Sequence, residues 1–190
     1  MGLFDALLGG KKKLQGPAPS RLFAMSTAYI TLDTGHQITT RGTAGIVFQP
    51  LATSDFESIV TEMEEILGST GEDTGTTIKT SDDEHGYRWM VLSDDEIEDL
   101  VVGVNAVSDA LAVGGYGDRV LAAVFAFSDS KSRPVYFIYN YKRGHWYPFV
   151  PAGKNVRDGE RELQIKAIIS DDLPIEPEME RWFPLWGTPI

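Results

Sequence analysis

The side chains that chemistry usually recruits are few and scattered in this chain. It has no cysteine, which removes thiolate nucleophiles, zinc ribbons, iron–sulfur ligation and disulfides together. Its three histidines, His36, His85 and His145, share no spacing and fall on separate predicted elements. His85 follows Asp82-Asp83-Glu84, a run of metal-ligating types. The run lacks the spacing of a known metal loop, and three acids at a hairpin tip read as a solvated turn. Gly114-Gly115-Tyr116-Gly117 has the composition of a phosphate cradle. It follows a predicted helix instead of opening one, so its amides would not be aimed at an anion, and it reads as a helix stop plus turn. There is no Gly-x-Ser-x-Gly, Walker loop or His-Glu-x-x-His. Carboxylate pairs are plentiful, but adjacency in sequence does not set them across a cleft. The reading is a protein with no catalytic residues, no metal and no organic cofactor. A small-molecule-binding domain or an unrecognised enzyme is the alternative, and a pocket of convergent polar groups with perturbed ionisation would favour it.

The elements that would hold these residues are easier to read. At 190 residues the chain is long enough for one well-buried domain, assigned to residues 21–190. The stretch Arg21 to Leu32 is apolar and should pack on that domain, and Thr43–Phe48 reads as a strand stopped by Pro50. Ser54-Asp-Phe-Glu57 and Ser93-Asp-Asp-Glu96 have the form of capping boxes. Behind the first, Phe56, Ile59, Val60, Met63 and Leu67 repeat at helical spacing, with Gly68 as the expected stop. Behind the second, Ile97, Leu100, Val101, Val104, Val107 and Leu111 do the same, with Gly114 as the stop. Between them, Thr76–Thr80 and Tyr87–Leu92 predict a hairpin across an acidic turn. A three-strand meander follows: Val120–Phe127, apolar on both alternations and so central, then Val135–Tyr141, then His145–Val150. Pro148 confines the last strand to an edge. A helix from about Arg157 to Ser170 precedes an aromatic tail. The expected fold is α+β, one domain, with a mostly antiparallel sheet of five to six strands and helices against one face. The order helix, hairpin, helix, meander resembles the type III secretion chaperone-like folds.

Charge is unevenly distributed. Residues 54–99 hold fifteen acids against Lys79 and Arg88, out of a chain total of −11, which leaves the remainder slightly basic. An acidic half argues against nucleic acid, because phosphate neutralisation requires a basic face. It suits solubility or a basic partner, and Asp94, Asp95 and Glu98, on the helix expected over 94–113, are candidate partner-facing acids.

The first thirteen residues stand apart. Leu3, Phe4, Leu7 and Leu8 share one helical face, Asp5 lies opposite, and Lys11, Lys12 and Lys13 follow directly. An apolar stripe ending in a basic cluster suits reversible docking on a membrane surface or a partner, and packing on its own domain or a frayed terminus is the alternative reading. The segment is too short for a span, which needs ~20 apolar residues. It is a poor signal peptide, since the lysines follow the apolar run, and Ala6 stands where myristoylation wants Ser or Thr. Burying four large side chains supplies ~6–12 kcal/mol at most. Ordering the segment costs ~1–2 kcal/mol per residue, and each lysine near an anionic surface adds ~1 kcal/mol. The sum is near zero to modestly favourable, so docking should be weak. Residues 1–20 are therefore an amphipathic helix plus a basic, Gly- and Pro-rich linker. With no disulfide framework and no signal peptide, the expected compartment is the cytoplasm, with contact at the inner face of the cell membrane.

The tail Arg181-Trp-Phe-Pro-Leu-Trp-Gly187 carries three large rings. Exposed, Trp182 and Trp186 would be interface anchors. Buried, they would lock the tail over the sheet, and the aggregation hazard of a free aromatic tail favours burial.

The start Met1-Gly-Leu-Phe-Asp-Ala-Leu-Leu-Gly9, the block Tyr141-Lys-Arg-Gly-His-Trp-Tyr-Pro-Phe149, and Asp171-Asp-Leu-Pro-Ile-Glu-Pro with Trp182-Phe-Pro-Leu-Trp-Gly187 together resemble the bacterial PspA-associated protein family PspAB. The resemblance implies a non-catalytic companion of phage shock protein A, a coiled-coil protein that gathers at the inner membrane face under envelope stress. It implies no catalytic residues. A long coiled-coil partner would offer basic rows to the acidic helix expected over 94–113.

Overall fold

A computed structural model describes residues 19–190. Four helices, α1 (Pro19–Ile30), α2 (Ser54–Thr74), α3 (Ile97–Val113) and α4 (Gly159–Ile169), accompany six strands of one sheet. The strands are β1 (Thr39–Phe48), β2 (Thr77–Asp82), β3 (Arg88–Ser93), β4 (Val120–Ser128), β5 (Pro134–Asn140) and β6 (His145–Phe149). Their order is β2-β3-β1-β4-β5-β6, antiparallel throughout. The strands β7 (Pro151–Gly153) and β8 (Val156–Arg157) form a small separate ribbon. This is the expected α+β architecture, with β4 central and the proline-bearing β6 at an edge.

Alternation along the strands sends one set of side chains to each face. On one face Ile46, Phe48, Leu92, Phe125, Phe127 and Phe137 pack with Leu22 and Met25 of α1, Phe56 of α2, Leu100 and Val104 of α3, and Ile165 of α4. On the other face Val47, Trp89, Val124, Ile138, Tyr147 and Phe149 form a second cluster, roofed by Trp182. All four helices cover one face and the tail covers the opposite one. That division explains why β4 is apolar on both alternations.

Local chemistry departs from expectation at several helix ends. Pro19 and Ser20 open α1, so the linker reaches no further than the residues before Pro19; proline is at home in a first turn, where its missing N–H has no partner to lose. Neither predicted capping box forms. Thr53 is the residue before α2, in extended conformation, and the Glu57 carboxylate reaches across to the Arg88 guanidinium at 2.8 Å. A half-exposed ion pair with β3 takes the carboxylate in place of a local cap. At α3, Ser93 stays in β3, opposite Thr77 and Thr43. Asp94 closes the connection instead: its carboxylate accepts the Glu96 N–H at 2.8 Å and the Thr76 hydroxyl. The helix therefore starts at Ile97, not at 94. At α4, by contrast, Asp158 is a true N-cap, accepting the Arg161 N–H at 3.0 Å.

Gly68 does not stop α2. The helix runs on to Thr74 and ends at Gly75, whose φ of 92° supplies the left-handed turn that glycine adopts without penalty. Gly68 has open space around its Cα, whereas a Cβ at Gly71 would overlap the Thr76 carbonyl oxygen. These two glycines should respond oppositely to alanine. Gly68→Ala is expected to stabilise by ~0.5–1 kcal/mol through helix propensity. Gly71→Ala is expected to cost about 1–3 kcal/mol, since backbone must move to admit the methyl. Thermal melts of the two variants check this, and shifts of the same sign would refute it.

Candidate functional site

The structure first settles what the buried charges do. Four acids, Asp94, Asp129, Glu162 and Glu176, are buried, and each is committed to the fold. Asp129 accepts the backbone N–H groups of Lys131 and Arg133, at 2.9 and 3.0 Å, and pairs with the Arg133 guanidinium. Burial alone would raise its pKa, but those bonds hold it below the usual carboxylate value. Glu162 accepts the Val150 N–H at 2.9 Å and pairs with Arg157 at 2.7 Å. Arg157 in turn donates to the Trp182 carbonyl oxygen at 2.7 Å. Glu176 pairs with Arg143. Burial works to raise Glu176 as well, and the bonds from Arg143 and the Glu178 N–H overcome it.

These pairs fasten the tail. Ile175 bridges to Trp146, the Glu176 N–H donates to the Trp146 carbonyl, and the Trp182 indole donates to the Glu176 carbonyl at 3.0 Å. Beyond it, Tyr147 donates its hydroxyl to Phe183 O, Trp186 meets Phe149 edge-on at 4.9 Å, and Tyr136 donates to Ile190 O. Trp182 is 2% exposed, so it is no interface anchor. Trp186 is half-buried, and Phe183 is the exposed ring of the three, at 59%.

A cleft of about 840 Å³ opens between this tail and the β2–β3 turn. Val47, Leu121 and Ala122 form its floor, with Trp89 beside them; residues 183–189 make one wall and residues 81–87 the other. The acids of that second wall are held in place by the turn. Asp83 accepts the N–H groups of His85 and Tyr87, each at 2.9 Å, and the Trp89 indole N–H at 3.0 Å. Asp82 pairs with Arg88 at 2.7 Å. Its bond to Arg88 pulls the Asp82 carboxyl down; for Asp83 burial pushes up but the three N–H bonds prevail. Both perturbed groups owe their shifts to their own turn. Glu84 and His85 are exposed at its tip. The cleft is thus apolar below and acidic along one rim, and among the described residues no group of three or more His, Asp or Glu is placed to hold a metal.

The other residues singled out by sequence are dispersed. Leu3, Phe4, Leu7, Leu8, Lys11, Lys12 and Lys13 lie outside the described residues. Asp94 is buried in its turn and unavailable to a partner, while Asp95 and Glu98 are exposed. His36 follows the π-helical turn Thr31–Gly35, and His145 lies on β6, its Nδ1 3.9 Å from Glu176. Gly114 and Gly115 end α3 with a turn, Gly115 at a φ of 87°. Sequence reading missed the cleft floor and the Arg143–Glu176 and Arg157–Glu162 pairs. No periodicity marks such pairs; the one available hint is that both arginines lie where the chain turns basic, between residues 131 and 166.

Together these observations define a single-domain α+β protein with a six-stranded antiparallel sheet, helices on one face and an aromatic tail pinned to the other. The chain belongs to the PspAB family: the family model described as PspA associated protein B matches residues 1–190, the whole chain. No curated protein and no solved structure matches it. Among the described residues, no helix is long and apolar enough to cross a membrane.

Proposed function

We propose that this chain is a non-catalytic adaptor that associates with PspA in the response to envelope stress, docking through residues 1–13. The whole-length match to a family described by its association with PspA carries this reading. The described domain supports it. Its buried acids serve the fold, and its cleft is apolar with an acidic rim whose ionisation reflects local turn bonds, not a convergent catalytic set. Leu3, Phe4, Leu7 and Leu8 supply the apolar contact and Lys11, Lys12 and Lys13 the electrostatic one, with Asp95 and Glu98 as exposed acids for basic rows on a coiled coil. A membrane surface at the cytoplasmic face would compete for the same front segment.

The test is capture of purified PspA by the full chain and by its Leu7→Asp, Leu8→Asp double variant. Capture should be lost in the variant while its melting temperature stays within a degree or two, since weak docking contributes little to folding. Capture by both proteins, or a melting temperature lowered by many degrees in the variant, would overturn the reading. Liposomes without PspA distinguish membrane docking from partner docking.

A further inference from the structure

We propose that the cleft between the β2–β3 turn and the tail is the seat of this chain's own front segment when no partner is present. In that seat Leu3, Phe4, Leu7 and Leu8 would meet the floor of Val47, Leu121 and Ala122, and Lys11, Lys12 and Lys13 would meet the acidic rim, where Glu84 is exposed.

Three observations converge. The first is chemical match: a short apolar stripe followed by three lysines meets an apolar floor beside a turn with three acids. Arg88 is the one guanidinium in that turn region and is already engaged by Asp82 and Glu57. Glu84, with its side chain 87% exposed, faces solvent beside His85.

The second is size. At about 840 Å³, the cleft falls within the ~300–1,000 Å³ range of sites that enclose whole ligands.

The third is reach. The chain enters α1 beside the β5–β6 turn, where Arg21 donates to Gly144 O at 3.0 Å and accepts the Trp146 indole N–H at 2.7 Å. The cleft floor lies at this same end of the sheet: the Tyr141 N–H donates to Leu121 O, and Asn140 pairs with both Ala122 and His145. Three strand spacings separate β6 from β1, or ~15 Å, and passing to the opposite face adds ~10 Å. Ten residues lie between Leu8 and Pro19, and the eleven steps they make are enough for ~36–40 Å of extended chain. The segment reaches the cleft with length to spare.

Tethering makes a weak contact effective. A short linker sets a local concentration on the order of millimolar, so a contact with a Kd of ~1 mM is occupied about half the time. A consequence, resting on the proposed docking of residues 1–13 to PspA, is that the partner must displace the segment from the cleft. The seat itself does not depend on that reading.

The absence of cysteine permits a direct test without PspA. A nitroxide on Ala6→Cys, off the apolar stripe, should erase most of the amide NMR signal of His85, Gly86 and Gly187. Signals of Ser130 and Lys131, in the turn at the opposite end of β4, should be untouched. Glu84→Lys, an exposed change that spares the fold, should restore most of the lost signal, and Leu7→Asp with Leu8→Asp should restore it fully. Unchanged signals at the cleft, or loss that persists in Glu84→Lys, would overturn the proposal. So would equal loss when the label sits on an isotopically silent copy mixed with an unlabelled one, because the occupant would then be a second molecule.

Discussion

Deletion of residues 178–190 is expected to leave the chain unfolded or barely stable. The deletion removes Trp182, which is 2% exposed, and the half-buried Leu185 and Trp186. Loss of a buried aromatic costs ~3–5 kcal/mol and a buried leucine ~2–5 kcal/mol. It also bares Val124, Ile138, Tyr147 and Phe149 on the tail-covered face, and orphans the Arg157 and Tyr147 donors that now meet Trp182 O and Phe183 O. Set against a typical total of ~5–15 kcal/mol, little stability survives. Circular dichroism melts of the deleted and full chains check this. As a contrast, Phe183→Ala should melt nearly as the full chain does, since that ring is 59% exposed. A deleted chain that melts normally but fails to capture PspA would make the tail a docking anchor and not a part of the core.

Glu162→Ala is expected to produce the second large loss, about 3–5 kcal/mol. The carboxylate is 1% exposed, and its removal strands the Val150 N–H inside the protein and leaves Arg157 without its partner. A buried donor without an acceptor costs ~1–3 kcal/mol, and a charge-assisted bond contributes ~1.5–3 kcal/mol. For a domain of this size that corresponds to a fall in Tm of roughly 6–20 °C. Because Arg157 also holds the Trp182 carbonyl, the effect should propagate to the tail. A double-mutant cycle with Arg157→Ala should therefore show strong coupling, and additive effects of the two substitutions would refute the linkage.

Much of the fold was legible because its signals are local. Helical spacing of Ile97, Leu100, Val101, Val104, Val107 and Leu111 identifies α3, and each of those residues is buried. The doubly apolar run of β4 announces a strand covered on both faces, and Pro148 marks an edge because it has no N–H for a further ladder. The amphipathic stripe of residues 1–13 and the acidic run 54–99 are likewise properties of residue order alone. The errors share one cause. Local grammar places helix ends at Ser54, Ser93 and Gly68, yet Glu57 bonds Arg88, Asp94 closes its own turn, and Gly68 is carried through a helix that ends at Gly75.

What only the tertiary structure decided is long-range. Arg21 meets Gly144 across 123 residues, Trp182 roofs Tyr147, and Arg143 meets Glu176 across 33. Strand register places Val47 beside Ala122, and with it the cleft floor. Side-chain pattern tells which residues are buried, but not which distant segments cover them, because the hydrophobic effect is non-directional and proportional to area. Partner choice among apolar surfaces is settled by register, by buried ion pairs and by the geometry that satisfies every polar group at once.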